Sequence, residues 1–243
     1  MAVKPPGWRT YERIVAGFES ENVGIDVSIT PNAKIVGSIS GHVRQVDVLL
    51  DARWGDEIDR RIIVDAKYRR RKLDINDVEQ FESMMRDCRA QHGYLVCTAG
   101  WSPAAERRAQ EAITIKLLSV EGLEDPFLWA HFSKCVGSCA TANKRKDSGL
   151  VLWDGHYAVP DLCSVVYTGK CDACHQFHVH CLACGMEFAL ADEAERECWC
   201  GDRIWVTAIE EEQDDATGGV LNAVHSIVCE GSTVIPLDRR ALR

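Results

Sequence analysis

The sequence contains no run of 18 consecutive apolar residues, so no segment has the length and hydrophobicity of a membrane-spanning helix. Its opening segment, Met-Ala-Val-Lys-Pro-Pro-Gly-Trp, lacks the apolar core of a secretory signal peptide. The chain also lacks an excess of positive charge, because its net charge is −9. We therefore expect a cytoplasmic globular protein with no membrane partner and no overall attraction to polyanions.

Charge is distributed unevenly along the chain. Residues 1–120 hold 18 Lys and Arg against 17 Asp and Glu, a net charge of +1, whereas residues 121–243 hold 10 against 20, a net charge of −10. The acidity therefore belongs to the second half. Within the first half, a basic run occupies Lys67-Tyr-Arg69-Arg70-Arg71-Lys72. Such a run is usually a solvated loop, but the same cations can neutralise nucleic-acid phosphates.

Two segments rich in Val, Ile and Leu, residues 45–53 and 60–67, alternate with the period of a β-strand. The polar turn Gly55-Asp56-Glu57 between them predicts a hairpin. If the hairpin pairs Asp47 with Asp65, both carboxylates and the Lys67 ammonium lie on one face. The apolar side chains then form the opposite face, ready to pack under helices: Val46, Val48, Leu50, Ile62, Val64 and Ala66.

Two facing carboxylates suit Mg²⁺ or Mn²⁺, because a hard cation takes oxygen ligands and fills its other positions with water or substrate phosphate. A lysine two residues beyond one carboxylate can contact the attacking water or the scissile phosphate, and the metal lowers the pKa of that water. An acid-x-Lys triplet alone arises by chance in a chain of this size. The pairing of Asp47 with the Asp65-Ala-Lys67 triplet makes the pattern more specific.

Four segments occur in a recognisable order: Arg44-Gln-Val-Asp-Val48, Ile63-Val-Asp-Ala-Lys-Tyr68, Asp77-Val-Glu-Gln-Phe81 and Gly100-Trp-Ser-Pro-Ala104. Together they resemble the restriction-endonuclease-like fold, and within it the Mrr-type branch of the PD-(D/E)xK nucleases. The resemblance covers roughly residues 8–120. It implies an α/β fold, with an α/β/α core around a central mixed sheet, and a metal-dependent phosphodiesterase that acts on DNA.

The resemblance also implies roles for particular residues. Asp47 and Asp65 are the implied metal ligands, and Lys67 is placed beside the nucleophilic water. Many Mrr relatives carry Gln-x-Lys at the triplet, whereas this chain has the Asp form, which is commoner across the superfamily and favours activity. Members often add a glutamate from the first helix. Glu12 is the candidate here, although Glu19 and Glu21 lie nearby.

The residues directly after the catalytic triplet are the predicted DNA contacts: Arg69, Arg70, Arg71 and Lys72. Elsewhere in the first half, periodicity and capping signals predict a helix from Trp8 to about Ser20, extended segments at 23–29 and 34–39 around a Pro31-Asn32 turn, a helix from Asp74 to about Ala90, a strand at 93–98, a helix from Ser102-Pro103 to Ala112 and a strand at 113–118.

The second half contains a cysteine cluster between Cys171 and Cys200. Among the twelve cysteines of the chain, six lie in close pairs, which in a cytosolic protein indicates metal binding rather than disulfides. Cys181-x2-Cys184-Gly and Cys198-x-Cys200-Gly resemble the two knuckles of a zinc ribbon, each followed by a glycine where the backbone turns. Four protein ligands would make a closed, structural Zn²⁺ site.

A further pair, Cys171 and Cys174, has more than one possible partner. His178 and His180 can complete a second zinc site, or the pair can join one of the other knuckles and leave the histidines as bystanders. Cys135 and Cys139 have no evident partner pair in the sequence and are interpreted as incidental. The acidic glycine-rich and cysteine-rich segment can bury little apolar surface, so metal is expected to stabilise it.

These features divide the chain into a nuclease domain at 1–120, a connecting segment at 121–165 and a small zinc-ribbon-like β module at 166–243. The favoured function is a Mg²⁺-dependent DNA endonuclease, in restriction or defence against foreign DNA. The alternatives are a non-catalytic subunit that binds nucleic acid or protein, a repair or recombination nuclease, and a hydrolase of RNA or nucleotides. The acidity of the second half favours a protein partner, self-association, or a narrow contact with a base or a DNA end.

Overall fold

The computed structural model describes residues 8–24, 26–52, 61–112, 114–119, 132–141, 149–160, 164–190, 195–198, 203–213, 220–229 and 232–237. The chain forms two compact units. The first contains Met1–Glu19 and Ile29–Trp129, and the second contains Ser20–Ser28 and Ala130–Arg243. None of the described helices is long and apolar enough to cross a bilayer.

The first unit is built on a five-stranded mixed sheet in the order β1-β2-β3-β4-β5. Strands β2 and β3 are antiparallel, whereas β3, β4 and β5 run parallel and are connected through helices, as parallel neighbours require. The predicted α/β fold with a central mixed sheet is confirmed. Its elements are α1 (Trp8–Asn22), β1 (Val27–Val36), β2 (Val43–Ala52), β3 (Ile62–Lys67), α2 (Ile75–Asp87), β4 (His92–Cys97), α3 (Pro103–Ala112) and β5 (Ile115–Leu118).

Helix α2 shows how local sequence and core packing agree. The Asp74 side chain accepts a hydrogen bond from the Asp77 N–H, and the Asp77 side chain accepts one from the Asp74 N–H, which forms a capping box. One stripe of the helix is buried in the main core, as its spacing predicts: Val78, Phe81, Met85 and Cys88. A Cβ at Gly93 of β4 would lie 2.5 Å from Phe81 and Met85, so glycine allows α2 to pack closely on the sheet.

The predicted turn at Pro31-Asn32 is wrong. Strand β1 is continuous from Val27 to Val36, and Asn32 adopts a positive φ of 55° within it. Asparagine tolerates this left-handed conformation, and its side-chain oxygen accepts a hydrogen bond from Gln45 Nε2 at 2.5 Å. The turn signal therefore marks a local irregularity of a single strand. The predicted hairpin turn at 55–57 lies outside the described residues.

The second unit is mainly β-structure. Its six-stranded sheet has the order β10-β9-β8-β7-β14, with β6 also paired to β7, and a separate three-stranded sheet has the order β11-β12-β13. The strands are β6 (Phe132–Lys134), β7 (Leu150–Val159), β8 (Ser164–Cys171), β9 (Phe177–Cys181), β10 (Glu187–Leu190), β11 (Glu195–Glu197), β12 (Arg203–Gln213), β13 (Val220–Cys229) and β14 (Ile235–Pro236), and the short helix α4 is Ser138–Thr141. One apolar cluster includes side chains from both sheets.

Two features of the second unit differ from the sequence prediction. Within the segment expected to connect two domains, residues 121–165, strands β6 and β7 belong to the six-stranded sheet. The run Glu210-Glu-Glu-Gln-Asp-Asp215 has the composition of a solvated turn, but its residues 210–212 lie in strand β12. In both cases pairing with another strand, which local composition does not report, determines the conformation.

Asp87, the last residue of α2, connects this helix to the segment that precedes β2. Its carboxylate accepts hydrogen bonds from the Ile39 N–H at 3.0 Å, from the Ser40 N–H at 2.9 Å and hydroxyl at 2.7 Å, and from Arg44 Nε at 2.6 Å. Burial acts to raise the pKa of Asp87, but the hydrogen bonds from Ser40, Arg44 and Ile39 outweigh it and hold that pKa well below its usual range. The ionised carboxylate of Asp87 therefore holds the start of β2 in place.

We predict that Asp87→Ala lowers the free energy of unfolding by about 1–2 kcal/mol, because it leaves several partly buried donors without their acceptor. The ionised carboxylate contributes fully above its unfolded-state pKa of about 4 and loses its contribution as the pH falls further, so the difference from the parent protein narrows below about pH 4. Urea denaturation across pH checks both points. Glu79→Ala on the exposed face of α2 is the control and changes stability little. Equal loss in both variants would contradict the role of Asp87.

Candidate active site

The carboxylates of Asp47 and Asp65 are brought together by the register of β2 and β3. Val48 pairs with Val64 and Leu49 with Ile63, and the same register continued by one residue sets Asp47 opposite Asp65. The Asp47 side chain, which lies mostly inside the protein, accepts a hydrogen bond from the Ala66 N–H at 2.7 Å. A side chain of β2 thus bonds to the backbone of β3 beside the two acids.

Lys67 completes the group on β3. Its Nζ lies 2.7 Å from Asp65 Oδ1, and 38% of its side chain is exposed. On its other edge β3 pairs in parallel with β4, which sets Asp65 against Leu95 and Lys67 against Cys97. Strand β3 pairs with β2 at residues 62–64 and with β4 along residues 62–67. The backbone that carries the carboxylate and the ammonium is therefore fixed from the β4 edge, while the ammonium itself reaches solvent.

Helix α1 adds a third carboxylate, Glu12. Burial raises the pKa of Glu12 to about 8, and the charge of Asp47, a hydrogen bond with Asp47 and the charge of Asp65 act in the same direction. Burial also raises the pKa of Asp47 to about 7, together with the charge of Asp65 and a hydrogen bond with it, against the opposing effects of Ala66 N–H and Lys67. Asp47 is therefore the centre of the group, because its charge acts on Glu12 and the charge of Asp65 acts on it.

Carboxylates held close together repel one another when ionised, because their charges are alike. A hard divalent cation offsets this repulsion and prefers oxygen ligands. Glu12, Asp47 and Asp65 therefore fit Mg²⁺ or Mn²⁺ in donor type. The sequence did not distinguish Glu12 from its neighbours. Glu19 is buried and interacts with Lys116, and the Glu21 side chain lies outside the described residues.

Residues 8–126 match the family model described as restriction endonuclease, of the Mrr catalytic type. These residues form a Mrr-type restriction endonuclease domain. No curated protein matches the chain. The crystal structure of a protein of unknown function resembles it at 14% identity, over 58% of this chain and 73% of that chain, with a TM-score of 0.40, too low to support any assignment.

The basic run after β3 of the nuclease domain is divided between internal ion pairs and exposed cations. Arg69 bonds to Asp77 at 2.5 Å, and Arg71 pairs with Asp74 and Asp77. Burial acts to raise the pKa of Asp77, but its hydrogen bond with Arg69 and its bond to the Asp74 backbone lower it overall. Two further cations of the run, Arg70 and Lys72, are exposed. The acids that cap α2 thus hold half of the predicted DNA contacts.

The structure places seven described cysteines of the second unit in two groups. Cys171 and Cys174 lie with Cys135 and Cys139, and Cys181 and Cys184 lie with Cys198. Cys200, the remaining predicted ligand, lies outside the described residues. His178 and His180 belong to neither group: His178 Nδ1 lies 2.8 Å from the Gln176 carbonyl oxygen, and His180 Nδ1 lies 3.6 Å from Glu187 Oε1.

The partners of Cys135 and Cys139 were absent from the sequence analysis. The two residues are spaced as neighbours on one helix would be, and nothing in that spacing points to a pair more than 30 residues later. The number of cysteines was one signal: Cys135 and Cys139 lacked assigned partners, and together with Cys171 and Cys174 they make the four ligands of one zinc. Only the pairing of β6 with β7 and of β7 with β8 brings these segments together.

The contacts of Glu12 predict that this residue contributes to DNA cleavage. Glu12→Gln removes one anionic oxygen next to Asp47 and is expected to lower the cleavage rate by about 10–100-fold or more. Removal of a residue that only supports a metal ligand already causes a loss of that size. Plasmid cleavage under fixed Mg²⁺ or Mn²⁺ measures the effect. Glu19→Gln is the matched control, since it changes a buried glutamate of the same helix and is expected to retain activity. Equal rates in the two variants would remove Glu12 from the site.

Proposed function

We propose that the protein is a Mg²⁺-dependent or Mn²⁺-dependent endonuclease that hydrolyses phosphodiester bonds of DNA. The observation that carries this proposal is the register of β2 and β3, which sets Asp47 opposite Asp65, with Lys67 Nζ 2.7 Å from Asp65 Oδ1. Two carboxylates and one ammonium on a strand pair, with a third carboxylate from helix α1, match the chemistry that breaks a phosphodiester with water. A non-catalytic subunit would have no need to hold these charges together at the cost of their repulsion.

The roles of the residues follow from their contacts. Glu12, Asp47 and Asp65 are the residues that would hold the metal, which when bound lowers the pKa of a coordinated water and offsets charge on the phosphate. Asp65 holds Lys67 at 2.7 Å and so directs its ammonium to the same side as the carboxylates. From there Lys67 can donate hydrogen bonds to the attacking water or to a non-bridging phosphate oxygen. The pairing of β3 with β4 keeps this geometry before substrate arrives.

A role in restriction or defence against foreign DNA in the cytoplasm fits the Mrr-type domain and is part of the proposal. In this scheme the acidic second unit contacts a protein partner or another copy of the chain. Its sequence carries a net charge of −10 over residues 121–243, which opposes broad contact with DNA phosphates. DNA affinity is therefore assigned to the first unit, where charge is balanced and Lys67 adjoins the basic run.

The decisive experiment is plasmid cleavage by the full-length protein with Mg²⁺, with Mn²⁺ and with EDTA. We expect cleavage with metal only, and its loss in Lys67→Ala and Asp65→Ala, because these changes remove the ammonium and a central metal ligand. Circular dichroism and thermal unfolding verify that both variants remain folded. Full cleavage by either variant would overturn the assignment. A parent protein inactive on modified and unmodified DNA with both metals would favour the binding-subunit alternative.

DNA binding is predicted to depend unequally on the basic run. Arg70→Ala and Lys72→Ala remove exposed cations, so together they should weaken binding and reduce the slope of log affinity against log salt by up to about 2. Arg69→Ala instead breaks the bond to Asp77 and should chiefly lower the stability of the domain. Fluorescence anisotropy with a duplex at several salt concentrations, together with urea denaturation, separates the two effects. An unchanged slope in the double variant would show that Arg70 and Lys72 do not contact phosphate.

A further inference from the structure

The two Cys-x2-Cys turns of the second unit are a structural repeat. Residues 171–180 and 181–190 each begin with the motif, make a tight turn and continue as a strand. The fifth residue of each has a positive φ, 57° at His175 and 73° at Gly185. The N–H of that residue donates to the carbonyl of the first cysteine, at 3.0 Å and 2.8 Å. Both turns therefore have the same backbone, and each presents two thiols.

The first of these turns meets Cys135, which follows β6, and Cys139, which lies in α4. The four sulfur atoms lie within 4.8 Å of one another. Cys135 Sγ is 3.7 Å from Cys174 Sγ, and Cys139 Sγ is 3.8 Å from Cys171 Sγ. A tetrahedron of thiolates around Zn²⁺ with Zn–S bonds of about 2.3 Å has edges of about 3.8 Å. A disulfide would need about 2.05 Å, so the spacing is that of metal ligands.

The surroundings of these four sulfurs suit a closed structural site. Cys135 and Cys171 are buried in a small apolar cluster with Val151 and Trp153. The Ala173 N–H donates to Cys171 Sγ at 3.4 Å, the kind of contact that offsets the negative charge of a thiolate. Four thiols already supply every position of a tetrahedral zinc, so the set needs no imidazole and leaves no position for a substrate.

Gly149 is fitted to the same group. A Cβ built on it would lie 2.3 Å from Cys171 Sγ and 3.0 Å from Cys139 Sγ. Its carbonyl accepts a hydrogen bond from the Cys135 N–H at 3.0 Å. The backbone at Gly149 therefore contacts three of the four ligands, and only a residue without a side chain leaves room for the sulfurs.

We propose that Cys135, Cys139, Cys171 and Cys174 bind one structural Zn²⁺, separate from the site predicted at Cys181, Cys184, Cys198 and Cys200. This ion ties β6 and α4 to the turn between β8 and β9. The segment before β7 is thereby part of the zinc-stabilised unit rather than a connection to it. His178 and His180 are not ligands in this assignment.

The test is the zinc content of the full-length protein by mass spectrometry of the metal. Cys135→Ser and Cys139→Ser should each lower zinc by one ion per chain, whereas Cys88→Ser, a buried thiol of the first unit, should leave the content unchanged. His178→Gln and His180→Gln should also keep the parent content. Loss of zinc in the histidine variants, or parent-level zinc in both cysteine variants, would overturn the assignment.

A second measurement on the unmodified chain covers the case in which the serine variants do not fold. Exchange of zinc for ¹¹³Cd in the parent protein should give a cadmium resonance for each site at a chemical shift of all-thiolate coordination. The Gly149→Ala variant should weaken or lose one of these resonances, because the added methyl collides with two ligand sulfurs. Resonances that show nitrogen ligands at both sites, or that are all unchanged in Gly149→Ala, would contradict the proposed ligand set.

Discussion

The mutual repulsion of three carboxylates is the constraint on which the first unit depends. Burial of Asp47 and the charges of its neighbours raise its pKa, so holding Glu12, Asp47 and Asp65 together in their ionised forms costs free energy. The sheet meets this cost through fixed backbone geometry: β3 is paired on both edges, and its Ala66 N–H donates to Asp47. A divalent cation reverses the sign of the interaction, since it turns neighbouring anions into ligands. Under the proposed function, a bound cation would therefore offset the repulsion that the three carboxylates exert on one another.

The second unit faces a different constraint, because its many strands are stabilised by a limited set of buried apolar side chains. Its sheets share one apolar cluster, and a second, smaller cluster consists largely of cysteine neighbours. Thiolate groups that bind a common ion can stabilise such a fold where burial alone is insufficient. The repeat of the two Cys-x2-Cys turns supports this view, because each turn adds a pair of ligands at a strand end without any increase in core size.

Properties with a short sequence range could be predicted, and those set by distant contacts could not. Alternation at period two was enough to place Asp47 against Asp65 and Lys67 beside them, because one register satisfies both faces of the hairpin. The capping box at Asp74 and the buried stripe of α2 were equally local. The sequence offered little basis for preferring Glu12 over Glu19, because both lie on α1. Which of the two approaches Asp47 depends on how α1 packs against the sheet. Cys135 and Cys139 are recognised as ligands only once strand pairing brings them to Cys171 and Cys174, and the sequence alone does not reveal that pairing.

The basic run shows the same limit in electrostatic form. Counted in sequence, it is an uninterrupted cluster of cations beside the catalytic strand; in space, Arg69 and Arg71 face the acids that cap α2. An ion pair of this kind fixes the loop. Its cation is already neutralised by a carboxylate, so it displaces fewer counterions from DNA phosphates. With net charge near +1 over residues 1–120, the first unit has little long-range attraction to DNA. Under the proposed function, recognition of a phosphodiester would therefore rest on short-range contacts of Lys67 and of the few exposed cations next to it, rather than on a broad positive surface.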